Sequence, residues 1–169
     1  LDNLSIVFKS NSNSTQDVFI NHFCVTEEIR SQEINSKVSK ISSIKEIRNY
    51  LVEEQRKIGK SGGLVAEGRD IGTTVFPDAE LKIFLTASID ERAKRRKSEL
   101  ESKESGEINF NQLKELIKKR DFEDSNREIS PLRKASDAIE LITDGYSIDE
   151  VVEKIIYIYN EKIPKEVQS

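Results

Sequence analysis

Beyond residues 59–63 the chain alternates short apolar runs with amphipathic stretches, and this alternation constrains its fold more than any other feature. Residues 64–67 (LVAE), 81–85 (LKIFL) and 138–143 (AIELIT) read as strands. Between and after them the signals are helical. Ser88 with Glu91 predicts a capping box ahead of ERAKRR, and Ser147 with Glu150 predicts a second ahead of VVEKIIYIY. Phe110, Leu113, Leu116 and Ile117 mark another helix, running toward Asn126. Strands alternating with helices predict an α/β fold with a parallel sheet. In such sheets ligands sit beyond the carboxyl ends of the strands, so the loops after Glu67, Leu85 and Thr143 are the places to look for a site.

The first sixty residues follow other rules. Residues 4–8 (LSIVF) and 17–23 (DVFINHF) read as two strands joined by the turn-rich SNSNST, hence an antiparallel hairpin. From residue 26 to 58 the apolar positions Ile29, Ile34, Val38, Ile41, Ile44, Ile47, Leu51 and Ile58 recur at mostly three- and four-residue steps. The polar SKISSIKE stretch divides this region into two helices. Residues 97–109 (KSELESKESGEIN) lack a strong apolar face and are expected to form a charged, mobile excursion.

Composition narrows the partners. A chain of 169 residues suits one compact domain with room for a mobile sub-domain. The net charge of −4 argues against a general nucleic-acid binder. Positive charge is gathered instead at residues 92–97 and 118–120, which fits a small anionic ligand better than a polymer. No apolar run approaches the roughly 20 residues that span a bilayer, and no signal pattern is visible. Cys24 stands alone, so no internal disulfide is expected and a reducing, cytoplasmic setting follows. With His22 it supplies two ligands, which do not make a zinc site. Leu1 is not an initiator methionine, and the expectation is a fragment, a processed chain or a partly recorded one.

Four constellations carry possible chemistry. Gly59-Lys60-Ser61 resembles the tail of a phosphate-binding P-loop, but position 54 is Glu and the helix precedes the strand, so the order is reversed; loop punctuation is the better reading. In Glu67-Gly68-Arg69-Asp70-Ile71-Gly72-Thr73 a strand ends in an acid, followed by glycines around an adjacent cation and carboxylate. Arg69 suits a ligand phosphate and Asp70 suits a base amino group; an Arg–Asp pair decorating a turn is the bland alternative. Arg120, Asp124 and Arg127 fall at i, i+4 and i+7, on one helical face. Two guanidinium forks around a carboxylate suit a sugar phosphate, although a salt-bridged surface face has the same spacing. Arg92 and Arg96 share a face one turn apart and lead into the excursion. A closing lid supplies such cations to a transferred phosphoryl group, whereas a solvated basic helix end has the same letters.

In order along the chain, these pieces resemble the bacterial cytidylate kinase family. GRDIGTTVFPDAELKIFLTASIDERAKRR (68–96) is similar to that family's glycine-arginine-aspartate block, core strand and lid helix. IKKRDFEDSNREISPLRKASDAIELIT (117–143) is similar to its second signature, and EEIRSQEINSKVSKISSIKEIRNYLVEEQR (27–56) to its monophosphate-binding helices. Only residues 1–25 match loosely, in the place of a small antiparallel sheet. The resemblance implies a P-loop nucleoside monophosphate kinase-like α/β fold, a parallel sheet flanked by helices, incomplete at its N-terminus. Residues 1–60 are then the monophosphate-binding region, with the antiparallel insert, and 61–169 the remaining core with a lid at about 93–110.

The implied reaction is transfer of the γ-phosphoryl group of Mg-ATP to CMP or dCMP by a monomer acting on no polymer or membrane. Ser39, Arg48 and Asp70 match cytosine-recognising positions, a carboxylate accepting from N4 while Arg donates to the O2/N3 edge. Arg69 and Arg127 match the arginines on the CMP phosphate, Arg120 and Asp124 the sugar contacts, and Arg92 and Arg96 the lid side that reaches ATP phosphates. Arg69, Arg92, Arg96 and Arg127 are thus the implied catalytic set. Mg²⁺ comes with ATP and no protein metal ligand is implied, although Glu67, where many relatives have Asp, is expected to help order the ion's hydration shell.

One departure is large. The family opens with a strand, a P-loop and a helix, and none of these is present in this sequence. If the chain is complete as given, the expectation is CMP binding at best and negligible turnover. The alternatives are a kinase whose first segment lies upstream in a larger polypeptide, a non-catalytic CMP-binding module, or a kinase for another acceptor such as UMP or shikimate.

Overall fold

The hairpin forms where alternating apolar residues flank a turn. In the computed structural model, which describes residues 4–12, 15–102 and 109–163 apart from the side chains of Gln32 and Ser39, strands β1 (Ile6–Ser10) and β2 (Gln16–Ile20) pair antiparallel, with Ile6 opposite Ile20 and Ser10 opposite Gln16. A two-residue strand β3 (Phe23–Cys24) continues the sheet against β2. Thr26 is buried here; its Oγ1 accepts from Val18 N at 2.9 Å. Helix α1 (Gln32–Ser42) starts on Ser31, whose side chain accepts from Ile34 N, and the chain breaks at Ser43 before α2 (Lys45–Gly59). The break falls inside the SKISSIKE stretch.

The chain divides into two units, Leu1–Arg48 and Asn49–Ser169, and the boundary falls within α2. In the second unit, β4 (Ile83–Thr86) and β5 (Ile139–Ile142) pair parallel, Ile83 opposite Ile139 and Thr86 opposite Ile142. Between them run α3 (Ile89–Glu101) and α4 (Phe110–Asn126), packed on each other, and α5 (Ile148–Lys162) follows β5. This is the alternating α/β order. Its buried apolar residues are Val52, Val75, Ala87, Ala93 and Ile163. No helix among the described residues is long and apolar enough to cross a membrane.

Three expectations are corrected. Residues 64–67 form no strand: they pair with neither β4 nor β5, and Val65 is 98% exposed. An apolar run becomes a strand only where a neighbour takes up its backbone groups. Helix α3 continues through residues 97–101 instead of giving way to an excursion. Good helix formers and the i,i+3 and i,i+4 pairs Arg96–Glu99 and Lys97–Glu101 sustain it without an apolar face; residues 103–108 of the expected lid lie outside the described residues. The Ser88 cap is half a box. Its hydroxyl accepts from Glu91 N, but its own N–H donates to Asp144, while Glu91 turns to Arg95. At Ser147 both halves of the box are present.

Candidate functional site

The segment after Glu67 is shaped by a tight contact. A Cβ placed on Gly68 would stand 2.8 Å from Ile71 Cγ1, so only glycine lets the chain turn here without displacing that side chain. Ile71–Val75 then winds as a wide turn in which Phe76 N donates to Ile71 O, five residues back, at 2.7 Å. Such π-type turns are rare and frequent at functional sites. Two of its carbonyls, of Thr74 and Val75, accept from the Arg56 guanidinium at 2.7 and 3.0 Å. The turn therefore fixes the residues just before it, Arg69 and Asp70.

Helix α4 meets this segment with its acidic and basic side chains. Arg69 Nε lies 3.1 Å from Asp124 Oδ2, and Arg120, one turn earlier on α4, lies 3.8 Å from the same oxygen. At the end of α4, Arg127 sits 4.0 Å from Asp70 Oδ1; the two side chains are 10% and 4% exposed. Arg127 Nε donates to Ser130 O at 2.5 Å. Ser130 has a positive φ of 50°, a conformation a serine rarely adopts, and the bend turns its carbonyl back to the arginine. The backbone of the turn is pinned as well, Leu132 N donating to Asp124 O at 2.8 Å.

Arg92 comes in from α3. Its Nε donates to Ala87 O at 3.1 Å, and its two terminal nitrogens grip Asp121 at 3.0 and 2.7 Å. Asp121 also lies 4.0 Å from Arg69 Nη1. Four arginines and three aspartates thus form one cluster of ion pairs on the glycine-bounded segment and the facing sides of α3 and α4. The balance is one net positive charge, and Arg69, Arg92 and Arg120 are part-exposed while Arg127 is the inner one. Such a cluster can hold a phosphate oxygen between forks while its carboxylates accept from hydroxyl or amino groups.

Of the residues singled out in the sequence, Arg69, Asp70, Arg92, Arg120, Asp124 and Arg127 are brought together. Arg96 is not: it pairs with Glu99 along α3 at 2.7 Å and has no ion pair to the cluster among the described residues. Ser39 lies on α1 and Arg48 on α2, both in the first unit. Glu67 is exposed at the end of the unpaired stretch. Asp121 and Arg56 escaped the sequence reading. Asp121 sits off the 120–124–127 face, and its signal was its place three residues before Asp124, turned toward another helix. Arg56 offered no signal, because its partners are backbone carbonyls 18 and 19 residues away.

The family model described as Cytidylate kinase matches residues 2–161. The chain is 81% identical over 168 residues to "Bifunctional pantoate ligase/cytidylate kinase" of Prochlorococcus marinus strain MIT 9312, which covers 99% of this chain and 33% of that protein. A protein of the same name from strain NATL1A is 52% identical over 167 residues, 99% of this chain and 32% of its own length. The chain thus spans about a third of the curated relatives it matches.

Proposed function

This chain belongs to the cytidylate kinase family, and we infer that its second unit carries the side chains that hold the phosphate and sugar of the acceptor in an ATP-dependent phosphoryl transfer to CMP or dCMP. A helix-rich α/β chain with a parallel pair of strands fits a nucleoside monophosphate kinase-like fold. The observation that carries the reading is the Arg69–Asp124–Arg120 and Arg127–Asp70 cluster beside a glycine-bounded turn. Arg69 and Arg127 grip the CMP phosphate, and Arg120 and Asp124 take the sugar. Arg92, with Arg96 farther along α3, faces the incoming phosphoryl group. Phosphoryl transfer asks of a protein mainly positioning and charge stabilisation, and guanidinium forks supply both. Residues 1–60 are the monophosphate-binding region with the small sheet as its insert. Residues 61–169 are the remaining core with a lid at about 93–110.

Ser39 and Arg48 carry over to the cytosine edge from the family motif alone. For Asp70 there is a physical argument. Its carboxylate accepts from the N4 amine of cytosine, where uracil presents a carbonyl. Its burial against Arg127 favours a second reading, in which Asp70 holds that arginine and leaves the base alone. Asp70→Ala separates them by calorimetry: base readout requires CMP binding to weaken more than UMP binding, and equal losses assign Asp70 to Arg127.

The family implies Mg²⁺ with ATP. Among the described residues no three His, Cys, Asp or Glu side chains stand together where they would hold a metal ion, and Asp121 and Asp124 already face arginines. The described side chains do not fit a magnesium cage of their own. These 169 residues also contain no Gly-x-x-x-x-Gly-Lys-Ser/Thr sequence.

A further inference from the structure

We propose that Asp121 is a positioning residue of the phosphate site, holding Arg92 and Arg69 as an aligned pair of guanidiniums from two different segments. The proposal rests on the reading of the cluster as the CMP phosphate site. Asp121 grips both terminal nitrogens of Arg92, at 3.0 and 2.7 Å, a two-point contact that fixes the plane of the guanidinium. The third nitrogen of Arg92 is spent on Ala87 O, at the end of β4. The same carboxylate lies 4.0 Å from Arg69 Nη1. Asp124 holds the opposite side of Arg69, through Nε at 3.1 Å. Asp121 is therefore the one described residue that joins α4 both to α3 and to the glycine-bounded segment through a single side chain. Its charge is spent on two cations whose side chains remain about a third exposed.

The sign of the effect identifies the role. An aspartate near a phosphate repels it, so a purely electrostatic role predicts that removing the charge strengthens CMP binding. A positioning role predicts the reverse, because loosened arginines must be ordered again when the ligand arrives. A merely structural role would weaken cytidine and CMP alike.

Asp121→Asn keeps the shape and removes the charge. CMP should bind roughly tenfold more weakly to this variant, the scale of one lost ordering contact, with cytidine binding unchanged. In an Arg69→Ala, Arg92→Ala background the same substitution should have no further effect on CMP. CMP binding that is unchanged or stronger, or an equal loss for cytidine, would overturn the proposal. A second measurement needs no ligand: the Nη–H NMR signals of Arg92, whose two terminal nitrogens face Asp121, should be slow to exchange in the unaltered chain and averaged with solvent in Asp121→Asn. Equal protection in the two proteins refutes positioning whether or not CMP binds. Should the unaltered chain fail to bind CMP while the NMR difference appears, the phosphate-site reading fails and the alignment stands as a fact of the fold.

Discussion

With its side chain only 10% exposed and its Nε–H placed on Ser130 O, Arg127 is oriented before any ligand arrives. A fork held in advance loses little freedom on binding, which makes this arginine the strongest single candidate for the phosphate. Arg127→Ala is expected to lower CMP affinity by about 1.5–3 kcal/mol, as for a charge-assisted contact. Arg127→Lys keeps the charge without the fork and should recover only part of the loss. An unchanged calorimetric affinity would return the end of α4 to an ordinary salt-bridged face. At this scale the sequence was informative where spacing alone decides proximity: i and i+4 on one helix brought Arg120 to Asp124, while Arg127, expected on the same face, stands just past the end of α4 in extended backbone and pairs with Asp70. It was silent where a partner arrives from another element. Nothing in the letters links Asp121 to Arg92, 29 positions away.

Among the elements, the segment from Gly68 to Val75 depends on close fit. Gly68→Ala would push a Cβ against Ile71 and is expected to destabilise the second unit by about 1–3 kcal/mol, as overpacking does. Adding Ile71→Ala should relieve part of that cost, so the double variant loses less than the two singles together in denaturant unfolding. Charge also ties the elements together. Hydrogen bonds from Ser88 hold the Asp144 carboxyl below its usual range, and the Lys82 ammonium does the same to Asp137. The Ser147 N–H and hydroxyl act likewise on Glu150. A carboxyl with a lowered folded pKa binds fewer protons than in the unfolded chain, so its contribution is present above the ordinary carboxylate range and lost as pH falls through the folded value. Unfolding stability should therefore drop as pH falls below about 4, and Asp144→Asn should flatten that dependence; an unaltered slope would remove Asp144 from the account. Helix positions and the capping box at Ser147 were legible because they depend on local spacing. The strand expected at residues 64–67 failed because strand formation requires a hydrogen-bonded neighbour, and apolar letters cannot report one.

For the molecule as a whole, order along the chain carried the most information. Three separated stretches in family order pointed to the cytidylate kinases, and the family model matches residues 2–161. The account of function stands on one claim, that the arginine–aspartate cluster of the second unit receives the phosphate of a cytosine nucleotide. The most direct test titrates the 169-residue chain with CMP and with cytidine in a calorimeter, at low and at raised salt. One-to-one binding of CMP, far tighter than that of cytidine and with the gap narrowing as salt screens the arginines, is the result this account requires. Equal affinity for the two ligands, or a gap indifferent to salt, would contradict it.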